Sequence, residues 1–365
     1  MSGSRVRVPA SIVAVFLLAG YCSGQVPGAS AITGVVRDSA TGRPLENVNV
    51  FLSSTTIGTG TDRDGRYELK SLRPGRYDIV FSRVDYKFQA IPIDLSVPGS
   101  FVRDMVLSPR SIVLGDVEVS AEANRAWKRN YESFRQIFLG EGPNAAECVI
   151  KNPEVLNFNL DPYTRTLKAG AGELLMIANS SLGYTMQVSL SDFRWDTRSN
   201  YGHFIVHLLF KPMSSTTVAD FATWEANRRR TYNGSLQHFL RSIAARNPDS
   251  NGFILHKGSL DDLQEGRGQY LPPEELDVQP VLGTPFKRWA YDGWLRIDRQ
   301  GGTKDDVSFI ELEDSTTLID PEGILVNPLS INLGGRWAKD RVADMLPRDY
   351  VVKEASGVRR QGTGQ

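Results

Sequence analysis

The sequence predicts a mostly β protein in which a seven-stranded β-sandwich precedes an α+β domain with an antiparallel sheet. Over residues 32–107, apolar and polar residues alternate in short segments that are separated by Gly, Pro, Asn and Asp. Alternation with a period of two places successive side chains on opposite faces of a strand, and several short strands with such turns indicate a sandwich. After residue 124, segments with this period alternate with segments whose apolar residues recur every three or four positions, which is typical of helices.

The first 24 residues have the pattern of a secretory signal peptide. Two arginines precede an apolar run at residues 12–19, and small residues lead to Gln25. The apolar run is shorter than the ~20 residues that span a bilayer, so a retained membrane anchor is disfavoured. Cys22 offers a lipoprotein alternative, but Tyr21 occupies the position where lipidation requires a small residue. We therefore expect an exported protein without a lipid anchor.

Composition limits the classes of partner and of stabilising bond. The chain carries 42 basic and 42 acidic residues, and this balance argues against nucleic-acid binding, which requires clustered excess Lys and Arg. Removal of residues 1–24 would leave Cys148 as the sole cysteine, so no internal disulfide could form. A chain of 365 residues is long enough to be stabilised by the hydrophobic cores of one or two ordinary domains.

Residues 31–109 are expected to contain the sandwich. Its predicted turns include Asp64-Gly65 and Pro74-Gly75, because Gly, Asp and Pro supply the backbone conformations that tight turns require. Asp62 and Asp64 are spaced as at the start of a calcium loop, but the closing Glu is missing, so we assign them to the turn. Inward-facing side chains are predicted at alternate strand positions: Val48, Val50, Leu52, Tyr77, Ile79 and Phe81.

Five segments of this region together resemble a known family. They are residues 32–38 (ITGVVRD), 41–45 (TGRPL), 48–50 (VNV), 61–67 (TDRDGRY) and 74–77 (PGRY). The region resembles the carboxypeptidase regulatory-like domain, a transthyretin-like or immunoglobulin-like sandwich that is common in envelope proteins of Bacteroidetes-type bacteria. In that family the domain is an accessory module, found beside peptidases and ahead of the plug of TonB-dependent receptors. The resemblance therefore implies a location and an architecture, and no chemistry.

Residues 110–123 are predicted to be an extended connector. They resemble the segment that leads from the accessory domain into a TonB-dependent receptor plug, but too few residues follow to build a large transmembrane barrel. The α+β domain is expected at residues 124–352. The Gly- and Arg-rich residues 353–365 are predicted to form a disordered tail.

The α+β domain should begin with a helix at residues 124–139, because its aromatic residues recur at spacings of three and four. Asn124 would cap this helix and Gly140 would end it. A break at Asn233-Gly234-Ser235 divides a second helical region, since Gly is unfavourable inside a helix and Ser caps well. Strands are predicted at residues 174–177, 184–190, 201–210, 286–297 and 307–313.

Two segments near the C-terminus complete the predicted domain. Residues 263–285 are rich in Pro, Gly and acidic residues, so we expect a long surface loop with a functional role. Residues 336–346 follow a Gly-Gly pair and precede Pro347, which predicts a last helix with Trp337 turned inward.

His203 and His207 are separated by four positions, a spacing that on a helix would allow them to chelate one metal ion. The β-branched and aromatic residues around them and the following Pro212 favour a strand instead. On a strand the two side chains would lie ~13 Å apart, too far for a shared zinc ion. We therefore predict neither a metal site nor a cofactor.

Recognisable catalytic motifs are missing from the sequence. No His has a Glu three residues later, as zinc carboxypeptidases require, and no nucleophile elbow, phosphate-binding loop or dinucleotide fingerprint is present. Cys148 could serve as a nucleophile with a histidine, although a lone Cys beside Val149 and Ile150 is typical of a buried residue. We assign no catalytic residue, and a site built from residues far apart in the sequence stays open.

Two clusters are candidate ligand or partner surfaces. Arg228, Arg229 and Arg230 form either a solvated basic face or a clamp for carboxylate or phosphate. Because no anion-binding glycine loop lies nearby, we favour the solvated face. The second cluster is aromatic and comprises Trp289, Tyr291 and Trp294. These rings could stack on sugars or fill a core, and we favour the core.

Taken together, these patterns predict an exported protein of the periplasm or outer membrane that acts as a non-catalytic binding or structural module. Its partner would be an envelope protein or a glycan, with peripheral outer-membrane association and without nucleic acid. Two alternatives stay open. One is a peptidase-associated protein or carboxypeptidase-type hydrolase whose site the sequence does not display, and the other is an accessory component of a TonB-dependent receptor system.

Overall fold

The structure is a computed structural model, which describes residues 29–110 and 121–352. The predicted signal peptide, the alternative lipidation site at Cys22, most of the predicted connector and the tail at residues 353–365 lie outside the described residues. The predicted mostly β class is confirmed, because antiparallel sheets dominate the described part of the chain. The division into two domains at residues 110–123 stays a prediction.

The N-terminal region forms the predicted sandwich of two facing sheets. One sheet has the order β4-β1-β7, with β8 also paired to β1, and the other has the order β3-β2-β5-β6. Strands β7 and β8 run parallel to β1 at successive positions and together act as one interrupted strand, so the arrangement is seven-stranded. The strands are β1 (Ser30–Asp38), β2 (Asn49–Leu52), β3 (Gly58–Gly60), β4 (Arg66–Leu72), β5 (Arg76–Ser82), β6 (Gln89–Asp94), β7 (Ser100–Val102) and β8 (Met105–Leu107).

Alternation of side chains builds the core of the sandwich. All six residues predicted to face inward between Val48 and Phe81 are buried, which confirms the strand register. Gly34 is required at its position because a Cβ there would lie 2.0 Å from the carbonyl oxygen of Arg103. The same carbonyl accepts a hydrogen bond of 2.7 Å from the Tyr67 hydroxyl, so the crossing of the two chain segments is fixed from both sides.

A second sheet, called the central sheet, follows the sandwich. Its order is β10-β11-β13-β12-β9, and the long strand β14 pairs with β13 over twelve residue pairs. Helix α1 covers one face with stacked aromatic rings, among them Phe134 and Phe138. The elements are α1 (Ala121–Leu139), α2 (Pro143–Ala146), β9 (Cys148–Ile150), β10 (Leu156–Leu160), β11 (Thr166–Ala171), β12 (Leu175–Asn179), β13 (Tyr184–Asp196) and β14 (Tyr201–Pro212).

The predicted first helix and strands of this region are confirmed. Helix α1 already includes Ala121, so Asn124 lies inside the helix and is not its N-cap. The helix ends at Gly140, whose φ of 93° is the left-handed conformation that favours glycine. His203 and His207 lie on β14, which confirms the prediction of a strand over a helix at these residues.

The remaining residues form a third region with its own core. A five-stranded sheet of order β16-β15-β19-β20-β22 and a three-stranded sheet of order β17-β18-β21 enclose Phe239 and Trp289, and Trp337 packs between them. The elements are α3 (Val218–Tyr232), α4 (Leu236–Ala244), β15 (Phe253–Gly258), α5 (Leu260–Gln264), β16 (Gln269–Tyr270), β17 (Asp277–Pro280), β18 (Lys287–Ala290), β19 (Trp294–Arg299), β20 (Ser308–Leu312), β21 (Thr316–Ile319) and β22 (Ile331–Gly335).

Predictions in this third region had mixed outcomes. The helix break is confirmed, with Gly234 at a φ of 84° and the Ser235 hydroxyl accepting a hydrogen bond from the backbone N–H of His238. The prediction of a long surface loop at residues 263–285 is wrong, because strands β16 and β17 lie within this range. Leu276 and Val278 are buried in the core and hold this stretch there. The surrounding Pro, Gly and acidic residues gave the segment the composition of a loop, so the sequence did not indicate this burial.

The predicted helix at residues 336–346 is also wrong. The chain there makes only two short 3-10 turns, Trp337–Lys339 and Val342–Asp344. The two turns serve different cores: Trp337 packs in the third region, whereas Val342 packs under the central sheet. A continuous helix could not bring both side chains to their separate cores, so tertiary packing overrides the local pattern. We call residues 336–350 the C-terminal segment.

Candidate functional site

The outer face of one sandwich sheet packs on the outer face of the central sheet. Phe51 of β2 and Val80 of β5 are fully buried against Leu209 of β14. The turn after β2 also extends the central sheet: Ser54 N–H donates to the Leu208 carbonyl at 2.6 Å, and Phe210 N–H donates to the Thr55 carbonyl at 2.9 Å. Apolar contact and backbone pairing therefore fix the sandwich in one orientation.

An ionic junction beside this interface joins the sandwich to the third region through the C-terminal segment. It consists of Arg348, Asp320 and Glu322, all of them buried. The Arg348 guanidinium bonds both carboxylates, donates to the Arg76 carbonyl of the sandwich at 2.8 Å, and lies 3.8 Å from the centre of the Tyr77 ring. Burial raises the pKa of both carboxyls, and the charge of Arg348 opposes this shift. The junction thus links the sandwich, the third region and the C-terminal segment through the Arg348 guanidinium.

A cleft of about 350 Å³ opens beside this interface, between the sandwich and the central sheet. Its size and its position between two packed units are typical of ligand sites. The sandwich contributes Asn47, Asn49, Ser82, Arg83, Asp85, Tyr86, Phe88 and Arg110. The central sheet and its turns contribute Asn152, Gly172, Glu173, Leu174, Met176, Gln187, Ser189 and Leu190. We refer to this set as the cleft.

Neutral polar groups meet inside the cleft. The Asn49 amide donates to Gln187 Oε1 at 2.7 Å and so bridges the two walls. Ser189 is 1% exposed, and its hydroxyl finds no hydrogen-bond partner within the described part of the chain. A buried hydroxyl without a partner lowers stability, because it has lost its hydrogen bonds to water and gained none in the protein.

Local backbone structure shapes the far wall. Asn152 donates to the Leu174 carbonyl at 2.9 Å and accepts from the Met176 N–H at 2.8 Å, which holds the turn before β12 against the start of β10. A Cβ at Gly172 would lie 3.5 Å from the Arg110 guanidinium, so Arg110 reaches across from the sandwich to this turn. The two hydrogen bonds of the Asn152 side chain therefore hold this wall in position.

Next to the cleft, Ser189, His207 and Asp78 have the residue types of a catalytic triad. Ser189 and His207 are directly opposite on β13 and β14, and His207 Nδ1 lies 3.7 Å from Asp78 Oδ2. Burial lowers the pKa of His207, with a weaker opposing effect of the Asp78 charge. A nucleophile must be hydrogen-bonded to its base, and the Ser189 hydroxyl makes no such bond in the described part of the chain.

The predicted arginine cluster does not act as one unit. Arg228 donates to the carbonyls of Leu182 and Gly183 at 2.7 and 3.1 Å, and its guanidinium lies 4.1 Å from the centre of the Tyr184 ring. This side chain holds a turn of the central sheet, so the favoured solvated face was the wrong description of Arg228. Arg230 is exposed and bonds Asn227 at 2.7 Å, while Arg229 is half-buried.

The predicted aromatic cluster is divided between core and surface. Trp289 is fully buried in the core of the third region, beside Phe239, so it presents no ring to a ligand. Tyr291 is half-buried and packs against the same core. Trp294 is half-buried on β19, opposite Glu311 of β20. The three rings therefore do not form a shared stacking surface. Trp289 is part of the core, as the favoured interpretation of the sequence expected.

The histidines and Cys148 are the residues that could supply metal or thiol chemistry. Within residues 29–110 and 121–352, no group of three or more His, Cys, Asp or Glu residues could hold a metal ion. His203 instead bonds Asp192 at 3.0 Å. Cys148 is 2% exposed, and burial raises the pKa of its thiol to about 12, so the thiolate required for nucleophilic attack is not formed near neutral pH.

Sequence reasoning missed the cleft residues. Gln187 and Ser189 alternate with apolar residues on β13, which is the ordinary pattern of a strand with one solvated face. That the polar face is covered by the sandwich depends on packing between residues more than one hundred positions apart. No local signal in the sequence distinguishes a covered polar face from a solvated one.

Residues 32–119 match the CarboxypepD_reg-like domain family, which confirms the resemblance inferred from the five sequence segments. A TonB-dependent receptor, P39 of Formosa agariphila, is 32% identical to this chain over 83 residues. The match covers 23% of this chain and 8% of the receptor, so the chain spans only a small part of that receptor's length.

Solved structures give only faint similarity. A cohesin–X-dockerin complex of Acetivibrio cellulolyticus matches with a TM-score of 0.21 and 16% identity over 28% of this chain and 73% of that chain. Shaft pilin SpaA of Lactobacillus rhamnosus GG matches with a TM-score of 0.19 and 13% identity over 23% and 47% of the respective chains. Among the described residues, no helix is both long and apolar enough to span a membrane.

Proposed function

We propose that this protein is an exported component of the cell envelope that binds a ligand without transforming it. The observation that carries the proposal is the cleft, where neutral polar groups converge and the buried Ser189 hydroxyl has no partner in the described part of the chain. In this role the sandwich is one wall of the binding site. Its accessory character in related proteins agrees with a positioning function, and the ionic junction holds that wall in place.

Two further features support an envelope location. The first 24 residues have the pattern of a signal peptide. The sandwich is similar to a module of a TonB-dependent receptor. The similarity to that receptor also favours a second candidate function, in which the protein is an accessory component of a TonB-dependent receptor system and binds a receptor through the sandwich. Peripheral outer-membrane association is compatible with either candidate.

Fractionation tests the location. Cells that produce the full-length chain are separated into cytoplasm, periplasm and membranes, and the intact mass of the recovered protein is measured. We expect a periplasmic or outer-membrane protein that begins near Gln25 and carries no lipid. Recovery of an uncleaved chain from the cytoplasm would contradict the proposal, and a diacylated Cys22 would establish the lipoprotein alternative.

Two assays test the hydrolase alternative and the receptor candidate. Purified protein is incubated with peptide and ester substrates with and without chelator, and product release is compared with that of Ser189→Ala. We expect no release above background. Turnover that Ser189→Ala abolishes would establish the hydrolase alternative. The receptor candidate is tested by affinity purification from membranes solubilised with detergent, where retention of a TonB-dependent receptor would favour it.

A further inference from the structure

We infer that the cleft binds a neutral, hydroxyl-rich ligand, namely a short uncharged oligosaccharide. This inference rests on the proposed binding function and adds the chemical class of the ligand. Its basis is the combination of polar groups inside the cleft, the charge at its rim and the pairing of the strands that form its walls.

The polar groups inside the cleft both donate and accept hydrogen bonds. In the bridge between Asn49 and Gln187, one donor and one acceptor are used, which leaves the Gln187 amide nitrogen and the Asn49 carbonyl oxygen available. The Ser189 hydroxyl adds one donor and two acceptor positions without a partner in the described part of the chain. Neighbouring hydroxyls of a sugar ring also donate and accept at once, so they can satisfy such a mixed set, whereas a ligand with only acceptors cannot.

Charge at the rim is balanced. Arg83 and Arg110 are offset by Asp85 and Glu173, all of which line the same cleft. The Arg83 guanidinium lies 5.2 Å from the centre of the Tyr86 ring, so part of its charge is directed to that ring. A site for phosphate or carboxylate would carry excess positive charge. The absence of an excess among these lining residues favours an uncharged ligand.

Strand pairing argues against an extended peptide. Strands β2, β5, β12 and β13 contribute to the walls, together with the loop after β5 and the turn before β12, and each of these strands is hydrogen-bonded to neighbours on both sides. A peptide that adds to a sheet requires a strand that is free along one whole edge, and none of these four strands is free in this way. Leu174, Met176 and Phe88 supply apolar surface between them, which suits the C–H face of a sugar ring.

Direct binding tests the inference on the full mature chain. The probes are uncharged trisaccharides of glucose, galactose, mannose, xylose or N-acetylglucosamine, with trigalacturonic acid and trialanine as charged and peptide comparisons. Saturation-transfer NMR detects binding, and titration calorimetry measures affinity. Gln187→Ala and Ser189→Ala remove cleft groups. Gln279→Ala, at an exposed residue of the third region, is the matched control.

We expect at least one uncharged trisaccharide to bind saturably, with an affinity about tenfold lower in Gln187→Ala and unchanged in Gln279→Ala. Ser189→Ala should also weaken binding while the melting temperature is kept, which separates lost contacts from misfolding. If no uncharged trisaccharide binds, or if binding ignores both cleft variants, the inference is overturned. Binding of trigalacturonic acid or trialanine alone, when it depends on Gln187, would also overturn it but leave the proposed binding function standing.

Discussion

The interface between the sandwich and the rest of the chain contains two polar regions of opposite character. In the ionic junction, Arg348 is surrounded by carboxylates, a carbonyl and an aromatic ring, and its charge is compensated. In the cleft, the Ser189 hydroxyl is equally buried but has no partner in the described part of the chain. A satisfied buried network fixes geometry, whereas an unsatisfied group can gain free energy from a new bond. The junction therefore fixes the sandwich to the third region, whereas the Ser189 hydroxyl in the cleft is the kind of group on which our binding proposal depends.

The strongest test of this comparison breaks the ionic junction. Arg348→Ala removes the buried cation that bonds both carboxylates and leaves only the half-exposed Arg73 beside Glu322, at 3.6 Å. We expect the free energy of unfolding to fall by about 3–5 kcal/mol. Denaturant titration followed by tryptophan fluorescence measures the change. Lys70→Ala is the control, because its ion pair with Glu68 is exposed and should contribute about 1 kcal/mol or less. Equal effects of the two substitutions would show that the junction has no special role.

A second test removes the apolar centre between the two regions. Leu209→Ala should lower the free energy of unfolding by about 2–4 kcal/mol, because Leu209 is 2% exposed and fills the space between Phe51 and Val80. Ile205→Ala is the matched control on the same face of β14, where the side chain is 42% exposed and a change below about 1 kcal/mol is expected. Limited proteolysis should also cut Leu209→Ala faster. A loss no greater than that of Ile205→Ala would mean that the sandwich is held by its polar contacts alone.

The third test concerns Asp340, a carboxylate of the C-terminal segment that, unlike those of the junction, has no ion pair with Arg348. Burial, and secondarily the charge of Asp344, raise the pKa of Asp340 to about 6 from 3.8. Since the folded-state pKa is the higher one, Asp340 contributes stability below about pH 4 and loses it as the pH rises through 6. Asp340→Asn should therefore stabilise the protein by about 1–3 kcal/mol at pH 7.5, with little effect at pH 4.

Denaturant titrations of Asp340→Asn and the natural protein across this pH range provide the measurement. Asp305→Asn, at an exposed residue before β20, is the control, because an exposed surface substitution should change stability by less than about 0.5 kcal/mol. A stabilisation by Asp340→Asn that is equal at pH 4 and pH 7.5 would exclude a raised pKa as its cause.

The smallest expected effect concerns the cleft. Ser189→Ala removes a buried hydroxyl that has no partner in the described residues, so stability should stay the same or rise by up to about 1 kcal/mol. Ser330→Ala is the control, because its buried hydroxyl donates to the Asn327 carbonyl at 2.7 Å and its loss should cost about 1 kcal/mol or more. Thermal melting of both variants decides. A clear destabilisation by Ser189→Ala would mean that this hydroxyl is already bonded and would weaken the assignment of the cleft.

Sequence reasoning was strongest where structure is local. The alternation of Val48, Val50 and Leu52 predicted the sandwich strands, and the Gly234-Ser235 pair predicted a helix break with its cap. These features depend on side-chain periodicity and backbone conformation within a few residues. Reasoning failed in the C-terminal segment, where the residues that should form one helix instead reach two separate cores. It failed again at Arg228, whose partners lie 45 and 46 positions away.

By itself, the sequence determined the β class, the identity of the N-terminal module and the strand that carries His203 and His207, because each follows from spacing along one segment. Only the tertiary structure decided what the polar face of β13 does. Gln187 meets Asn49 across 138 positions, and Arg348 meets the Arg76 carbonyl across 272. The cleft and the junction exist because two sheets pack face to face, and the free energy of that packing depends on surfaces that no single segment displays.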